Sequence, residues 1–151
     1  MPDVCKFTYC EPCGRIQPPR SEHCTEGCEE CIMRVDTHCK LVGNCCIGLL
    51  NQKFYLLYQL YFSFGCFLTS IPFWEQCLMT SMGFLDLIEF NWLGTLTFFM
   101  SGCLFFGIMC FFVLNIRMLF MNQTTYEFQR SAQLKPFKQN CWSKNIAIVF
   151  G

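Results

Sequence analysis

Residues 9 to 39 read YCEPCGRIQPPRSEHCTEGCEECIMRVDTHC, and they contain six of the 14 cysteines and both histidines of the chain. These thiols and imidazoles follow the spacing Cys10-x2-Cys13, then His23-Cys24-x3-Cys28-x2-Cys31, and finally His38. Tetrahedral zinc is bound by soft ligands of this kind in close pairs, with a second pair farther along the chain. Disulfide bonds would leave both histidines unexplained. The stretch therefore predicts a zinc-stabilised Cys-rich domain of loops and short hairpins.

A metal ion is expected to organise this domain, residues 1–53, because the segment has few apolar side chains for a core. Structural zinc contributes about 10 to 16 kcal/mol per site in short peptides. The domain also holds more thiols than eight ligands need, since Cys39 follows His38 directly, and Cys5 and one of Cys45 and Cys46 are surplus as well. A spare thiol held rigidly beside a metal site is a candidate nucleophile.

The distribution of charge marks a membrane region after this domain. All 11 Lys and Arg residues lie outside residues 54–116, and the acids Glu75, Asp86 and Glu89 interrupt that region. Two uncharged runs remain, residues 54–74 and residues 90–116, of 21 and 27 residues. Each run, as a helix rising about 1.5 Å per residue, crosses the roughly 30 Å core of a bilayer. We therefore expect a two-helix transmembrane hairpin with spans at about 54–74 and 92–116, rather than two buried helices of a soluble protein.

The sign of the charges predicts the orientation of this hairpin. Basic residues avoid the translocated side of a membrane, so the loop 75–91, with three acids and no base, is expected in the lumen. The Cys-rich domain and the tail 117–151 are then both cytosolic, as are the two termini, and they lie at the same membrane face. The cytosol is reducing, which further disfavours disulfides. The formal net charge of zero argues against a nucleic-acid partner.

In these features the chain resembles the DHHC family of membrane protein S-acyltransferases, the palmitoyltransferases. The matching residues run in order from the head to the tail: Tyr9-Cys10-x2-Cys13, Pro18-Pro19-Arg20-Ser21-x-His23-Cys24, Cys31-x4-Asp36-Thr37-His38-Cys39, Ile47-Gly48 with Asn51 and Phe54, Thr124-Thr125-Tyr126-Glu127, Lys144-Asn145 and Val149-Phe150-Gly151. Such enzymes usually have four spans, with the Cys-rich domain between the second and third. The chain therefore resembles their second half, either as a fragment or as a naturally short member.

The resemblance implies two zinc sites with stated ligands. The first would be formed by Cys10, Cys13, His23 and Cys31, and the second by Cys24, Cys28, His38 and either Cys45 or Cys46. The distance from Cys39 favours Cys45, whereas the usual Cys-x-Gly context favours Cys46. Gly27 is an extra residue in the usual Cys-x2-Cys, so the second site is expected to be somewhat distorted.

The resemblance also implies a function and a reaction path. Cys39 matches the cysteine that attacks a long-chain acyl-CoA, holds the acyl group as a thioester and passes it to a membrane-proximal cysteine of a substrate protein. The apolar spans would hold the acyl chain. Asp36 resembles a catalytic or orienting residue, Thr125 and Glu127 belong to a supporting Thr-Thr-x-Glu motif in which Thr125 contacts the Asp, and Asn145 matches a supporting C-terminal residue. A multi-pass protein of the eukaryotic endomembrane system, in the endoplasmic reticulum, Golgi or plasma membrane, is expected.

One position departs from this pattern. Thr37 stands where the family has the first His of Asp-His-His-Cys, which resembles the general base. Threonine does not accept a proton usefully, and removal of a general base typically costs about 10² to 10⁴ in rate. The expected function is therefore an S-acyltransferase impaired at this step. The alternative is a non-catalytic, zinc-organised membrane adaptor. Pro18-Pro19-Arg20 is interpreted only as a rigid turn that shapes the zinc-binding loop.

Overall fold

The structure is a computed structural model that describes residues 8–40, 42–43, 45–79, 91–129 and 141–151. Six short strands form three antiparallel hairpins in the Cys-rich segment. They pair β1 (Thr8–Cys10) with β2 (Arg15–Gln17), β3 (Ser21–His23) with β4 (Cys31–Met33), and β5 (Thr37–Cys39) with β6 (Cys45–Ile47). Isolated hairpins this short are marginal in water, so they need a further constraint. Each hairpin carries thiol or imidazole side chains that can provide it.

Four helices follow the hairpins. They are α1 (Gln52–Met79), α2 (Trp92–Phe120), α3 (Thr125–Gln129) and α4 (Trp142–Phe150). The candidate spans within α1 and α2, Gln52–Glu75 and Trp92–Phe120, have mean hydropathies of 1.3 and 2.2 and are long and apolar enough to cross a membrane. Most of their large apolar side chains are exposed, Phe106 by 72%. The predicted Cys-rich region of short hairpins followed by two apolar helices is confirmed.

Asn51 joins the last hairpin to the first long helix. Its side chain accepts a hydrogen bond from Gly48 N at 2.7 Å and donates one to Cys46 O at 2.9 Å, while its carbonyl accepts from Tyr55 N at 3.0 Å. Asn51 thus occupies the position before the helix that favours Asn, Asp and Ser. The start of α1 is therefore tied to the strand that carries Cys46.

Gly48 is required here by close approach of the backbone. A Cβ atom at this position would lie 2.7 Å from Ile32 Cγ2 and 2.8 Å from Met33 O. Met33 O already accepts a hydrogen bond from Leu49 N at 3.1 Å, so it is not free to move away. The Ile47-Gly48 pair therefore lets the end of β6 pack directly on the end of β4.

The chain divides into two compact units. One combines the described residues up to Tyr55 with those from Asn115 onward, and the other consists of residues Leu56–Leu114. In the second unit, Phe67 packs on Phe105 with ring centroids 5.9 Å apart, and Phe73 stacks on Phe98 at 4.7 Å. These two pairings run in opposite directions along α1 and α2, so the helices are antiparallel.

The helix pair of the second unit borders an open apolar cavity of about 510 Å³. Its lining includes Phe62, Cys66, Thr69, Met100 and Leu104. The α1 helix continues past the predicted end of the first span at residue 74 as far as Met79. Most of the predicted lumenal loop 75–91, including Asp86 and Glu89, lies outside the described residues. Residues 1–7 of the Cys-rich domain and residues 130–140 of the tail also lie outside the described residues.

Candidate functional site

The first cluster of ligand atoms is formed by Cys10, Cys13, His23 and Cys31, whose sulfur and ring nitrogen atoms all lie within 4.8 Å of one another. His23 Nδ1 lies 3.6 Å from Cys10 Sγ and 3.1 Å from Cys13 Sγ, and the Cys13 and Cys31 sulfurs are 3.6 Å apart. The first two cysteines come from β1 and its turn. The other two ligands are paired across β3 and β4 in the hairpin register.

The second cluster is formed by Cys24, Cys28, His38 and Cys46, again within 4.8 Å. His38 Nδ1 lies 3.6 Å from Cys24 Sγ, 4.0 Å from Cys28 Sγ and 3.4 Å from Cys46 Sγ. His38 and Cys46 are direct cross-strand partners on β5 and β6. The β3–β4 hairpin serves both clusters, because His23 and Cys31 belong to the first, and Cys24 and Cys28 from the connecting loop belong to the second.

Both clusters fit a tetrahedral metal ion. With zinc bond lengths of about 2.3 Å to sulfur and about 2.0 Å to nitrogen, tetrahedral ligands are separated by roughly 3.5 to 3.8 Å. The separations of 3.1 to 4.0 Å between the ligand atoms bracket these values. Three thiols and one imidazole form a common donor set of structural zinc sites. The two clusters could therefore each hold a metal ion, and the metal would act as a cross-link between hairpins that have little core of their own.

The close contacts within the second cluster shift the pKa values of its thiols in opposite directions. Although burial acts to raise it, the pKa of the Cys24 thiol is lowered to about 7, chiefly by hydrogen bonds from the Cys28 backbone and the Cys46 thiol. Burial and the contacts with Cys24 and Cys28 raise the pKa of Cys46 well above its ordinary value. Thiols this close together cannot all ionise without a positive charge between them, and a divalent metal ion held there would supply that charge.

Of the two cysteines that the sequence leaves as alternatives, the structure places Cys46 in the second cluster. Cys45 Sγ instead donates a hydrogen bond to Val42 O at 3.1 Å. The extra residue Gly27 adopts a φ of 141°, a value that residues with a Cβ atom rarely adopt, and it lets the longer loop between Cys24 and Cys28 close. The expected distortion does not separate the four ligand atoms of this cluster.

The candidate nucleophile Cys39 lies outside both clusters. It is partly exposed and is paired with Cys45 across β5 and β6. Successive side chains of a strand point to opposite faces, so Thr37 and Cys39 share one face of the hairpin and His38 points to the other. Thr37 therefore lies on the same face of the hairpin as the candidate nucleophile Cys39. A cavity of about 340 Å³ borders Asp36 and Thr37 and extends to Thr125 and Tyr126.

Asp36 connects this hairpin to the tail. Its Oδ1 accepts a hydrogen bond from Thr125 N at 2.6 Å, and its backbone carbonyl accepts one from Tyr126 N at 3.1 Å. Asp36 N in turn donates to Ile47 O at 2.7 Å, which extends the β5–β6 ladder. Burial raises the pKa of the Asp36 carboxyl, and the hydrogen bonds from Thr125 act in the opposite direction. Asp36 thus caps a helix that begins 89 residues later in the chain.

The short helix α3 also has its own cap. Glu127 N donates to Thr124 Oγ1 at 3.2 Å, and Thr124 N donates to Glu127 Oε2 at 3.0 Å, which forms a reciprocal capping box. Together with the two bonds to Asp36, these contacts satisfy the first backbone N–H groups of the helix. Thr124 is almost fully buried. The Thr-Thr-x-Glu motif therefore builds a helix start that docks on Asp36.

Glu127, which closes this capping box, is also bound by Arg20. Its Nε lies 2.6 Å from Glu127 Oε1 and its Nη2 lies 2.8 Å from Glu127 Oε2, so the ion pair is bidentate. Nη2 also donates to Asn122 O at 2.9 Å. Arg20 and Asn122 both have left-handed backbone conformations, with φ values of 62° and 52°. This ion pair attaches the first half of the Cys-rich segment to the tail.

Arg34 and Asn145 are two further buried polar residues of this unit. Arg34 is 5% exposed, and no described residue accepts a hydrogen bond from its guanidinium. Burial and the positive charge of Arg20 lower its pKa. Asn145 is fully buried in α4 and donates to Phe120 O, the last carbonyl of α2, at 2.7 Å. Carbonyl groups at a helix end lack helical partners, so Asn145 supplies one.

The site thus contains residues that the sequence did not single out. Arg20 is interpreted there only as part of a turn, Thr124 only as a member of the Thr-Thr-x-Glu motif, and Asn122 and Arg34 have no assigned role. The spacing Thr124-x2-Glu127 is itself a capping-box signature and indicates a helix start. No local pattern indicates that Arg20 contacts Glu127, because the two residues are 107 positions apart.

Comparison with known protein families agrees with this arrangement. The family model described as DHHC palmitoyltransferase matches residues 4–132, which include both ligand clusters, both long helices and α3. The chain belongs to the DHHC palmitoyltransferase family. The resemblance drawn from the cysteine spacing and the Thr-Thr-x-Glu motif is therefore confirmed.

Curated DHHC palmitoyltransferase relatives match almost the whole chain. The probable protein S-acyltransferase 12 of Arabidopsis thaliana is 29% identical over 95% of this chain and 50% of its own length. Human palmitoyltransferase ZDHHC20 is 31% identical over 95% of this chain and 40% of its own length, and Caenorhabditis elegans palmitoyltransferase spe-10 is 30% identical over 87% and 38%. The chain therefore spans half or less of the length of these relatives.

Proposed function

We propose that the chain acts in protein S-acylation, with Cys39 as the residue that carries the acyl group. The observation that carries the proposal is the position of this thiol. Cys39 follows the ligand His38, lies outside both clusters and is partly exposed on a hairpin that the second cluster and Asp36 hold in place. A nucleophile needs this combination of fixed position and access.

The proposed reaction has two steps. The Cys39 sulfur attacks the carbonyl carbon of a long-chain acyl-CoA, so that a new thioester forms and the CoA thiol leaves. A membrane-proximal cysteine of a substrate protein then attacks that thioester, takes the acyl group and returns the Cys39 thiol. Two zinc ions in the clusters would hold the hairpins together and take no part in either step. The apolar cavity between α1 and α2 supports binding of the acyl chain within the bilayer.

We further propose a membrane topology in which the Cys-rich region 1–53 and the tail 117–151 are both cytosolic and the loop 75–91 is lumenal. The contact between Arg20 and Glu127 supports this topology. These two residues lie before and after the apolar helices, so they meet only if the chain crosses the bilayer an even number of times between them. The expected location is a eukaryotic endomembrane, where acyl-CoA and membrane-bound substrate proteins are both present.

The test is incorporation of a clickable fatty acyl-CoA analogue into the purified chain in detergent. The parent protein should acquire a label that neutral hydroxylamine removes, because hydroxylamine cleaves thioesters. Cys39→Ser should lose the label, whereas the control Cys103→Ser, which alters an exposed thiol of α2, should retain it. Equal labelling of Cys39→Ser and the parent would eliminate Cys39 as the acyl carrier.

A non-catalytic adaptor is the second candidate, and Thr37 is the observation that favours it. Thr37 and Asp36 both border the cavity of about 340 Å³. If the site is an impaired enzyme, Thr37→His should raise the rate of Cys39 labelling by about 10², the typical contribution of a general base. The control Thr37→Val should give no gain. An adaptor would show no gain with either variant.

A further inference from the structure

The strongest additional feature is a second thiol directly opposite Cys39. The register of the β5–β6 hairpin pairs Thr37 with Ile47, His38 with Cys46, and Cys39 with Cys45. Directly opposite residues on antiparallel strands point to the same face, with Cβ atoms about 4.5 to 5.5 Å apart. The register that brings His38 and Cys46 together on the cluster face therefore also brings Cys39 and Cys45 together on the other face.

Neither of these two thiols is used by the clusters. The eight ligand atoms come from the other cysteines of the described hairpins and from the two histidines. Cys39 and Cys45 are both free and partly exposed. The hydrogen bond from Cys45 Sγ to Val42 O at 3.1 Å holds this thiol beside Val42, at the strand end where Cys39 also lies.

We propose that Cys45 is a second acyl-carrying thiol that exchanges the acyl group with Cys39. This inference rests on the proposed acyl transfer at Cys39. In the exchange, the Cys45 sulfur attacks the carbonyl carbon of the Cys39 thioester. A carbon–sulfur bond to Cys45 forms, the bond to Cys39 breaks, and the proton of the Cys45 thiol passes to the released Cys39 sulfur. No oxidant, reductant or further reactant is needed.

The energetics favour a distribution of the acyl group over both Cys39 and Cys45. The exchange replaces one alkyl thioester by another, so the two forms should have similar free energies. Because the hairpin holds both residues side by side, the reaction is intramolecular and has a large effective concentration of the attacking thiol. Transfer to Cys45 also frees Cys39 for a second acyl-CoA, so the pair stores up to two acyl groups.

The position of Lys40 makes the inference directly testable. Trypsin cleaves after Arg34, Lys40 and Lys53, so Cys39 falls in the peptide 35–40 and Cys45 in the peptide 41–53. The full chain is incubated with palmitoyl-CoA, denatured at mildly acidic pH with N-ethylmaleimide to cap all free thiols, and treated with hydroxylamine. Released thiols are labelled with deuterated N-ethylmaleimide before digestion, and a sample without hydroxylamine measures incomplete capping. Fragment ions distinguish Cys45 from Cys46.

The parent should carry heavy label on both Cys39 and Cys45, in amounts within about tenfold of each other. In Cys39→Ser the label at Cys45 should fall at least tenfold, because Cys45 is loaded through Cys39. In Cys45→Ser the label should remain on Cys39 alone.

Three other outcomes are distinguishable. Label on Cys39 alone in the parent would overturn the exchange and leave the proposed function intact. Undiminished label at Cys45 in Cys39→Ser would show direct loading from acyl-CoA and overturn the exchange as well. Label on neither residue in the parent would overturn the proposed function itself.

Discussion

Arg20 and Glu127, 107 positions apart in the chain, form a bidentate ion pair at 2.6 and 2.8 Å. Their side chains are only 11% and 10% exposed. The glutamate also accepts from Thr124 N, and its own N–H donates to Thr124 Oγ1, so one residue both closes the capping box of α3 and binds the Cys-rich segment. The start of α3 is consequently fixed relative to both Arg20 and Asp36.

Removal of one partner of this ion pair should lower the stability of the fold. Glu127→Ala leaves the buried Arg20 guanidinium without its carboxylate, and breaking a buried pair in this way typically costs about 3 kcal/mol or more in the free energy of unfolding. For a chain of this length, the thermal unfolding midpoint in detergent should fall by roughly 6 to 12 °C. Arg20→Lys should also lower it, because an ammonium group does not reproduce the two-point contact. The matched control Arg15→Lys alters an exposed arginine of β2, and an equal loss in this control would contradict the assignment.

Two variants of Asp36 should separate the contribution of its helix-capping oxygen to stability from the contribution of its charge. Asp36→Asn retains an oxygen that accepts the hydrogen bond from Thr125 N, whereas Asp36→Ala removes it. Loss of a cap typically costs about 1 to 2 kcal/mol, so the midpoint of Asp36→Ala should lie clearly below that of Asp36→Asn. Thermal unfolding of both variants, each loaded with zinc, measures the difference. Equal midpoints for Ala and Asn would show that the Oδ1 contact does not stabilise the fold.

Metal content should discriminate Cys46 from Cys45. Because Cys46 lies in the second cluster and Cys45 does not, Cys46→Ala should lower the zinc content of the purified chain from about two ions to about one. The adjacent control, Cys45→Ala, should retain both. Elemental analysis by mass spectrometry after gel filtration gives the ratio of zinc to protein. Loss of zinc in Cys45→Ala with retention in Cys46→Ala would reverse the ligand assignment.

Gly48 should not tolerate a methyl group. In Gly48→Ala the new Cβ lies 2.8 Å from Met33 O and 2.7 Å from Ile32 Cγ2, so the end of β6 has to shift away from β4. Overpacking of this kind typically costs about 1 to 3 kcal/mol, and a lower thermal unfolding midpoint should report it. The control Gly102→Ala has no atom within 4 Å of the new Cβ and should be neutral or slightly stabilising. A neutral Gly48→Ala would mean that the two strands are not packed this closely.

Several features of the molecule were readable from the sequence because they depend on short separations. The uncharged runs at residues 54–74 and 90–116 predict helices, since hydropathy and rise per residue act locally. The spacing of Cys10, Cys13, His23 and Cys24 likewise indicates metal ligands. The choice between Cys45 and Cys46 was different, because it depends on the strand register, and a shift of one residue moves a side chain to the other face.

Local spacing and hydropathy thus determined that this chain has soft metal ligands in close pairs, a surplus of thiols and two long apolar helices. Only the tertiary structure decided that Arg20 meets Glu127, that Asp36 caps α3, that Asn145 binds Phe120 O and that Cys39 faces Cys45. Each of these contacts brings together groups from different hairpins, helices or strands. Their partners are selected by strand register and by the need to satisfy buried polar groups, which are properties of the folded arrangement and are not encoded in any one segment.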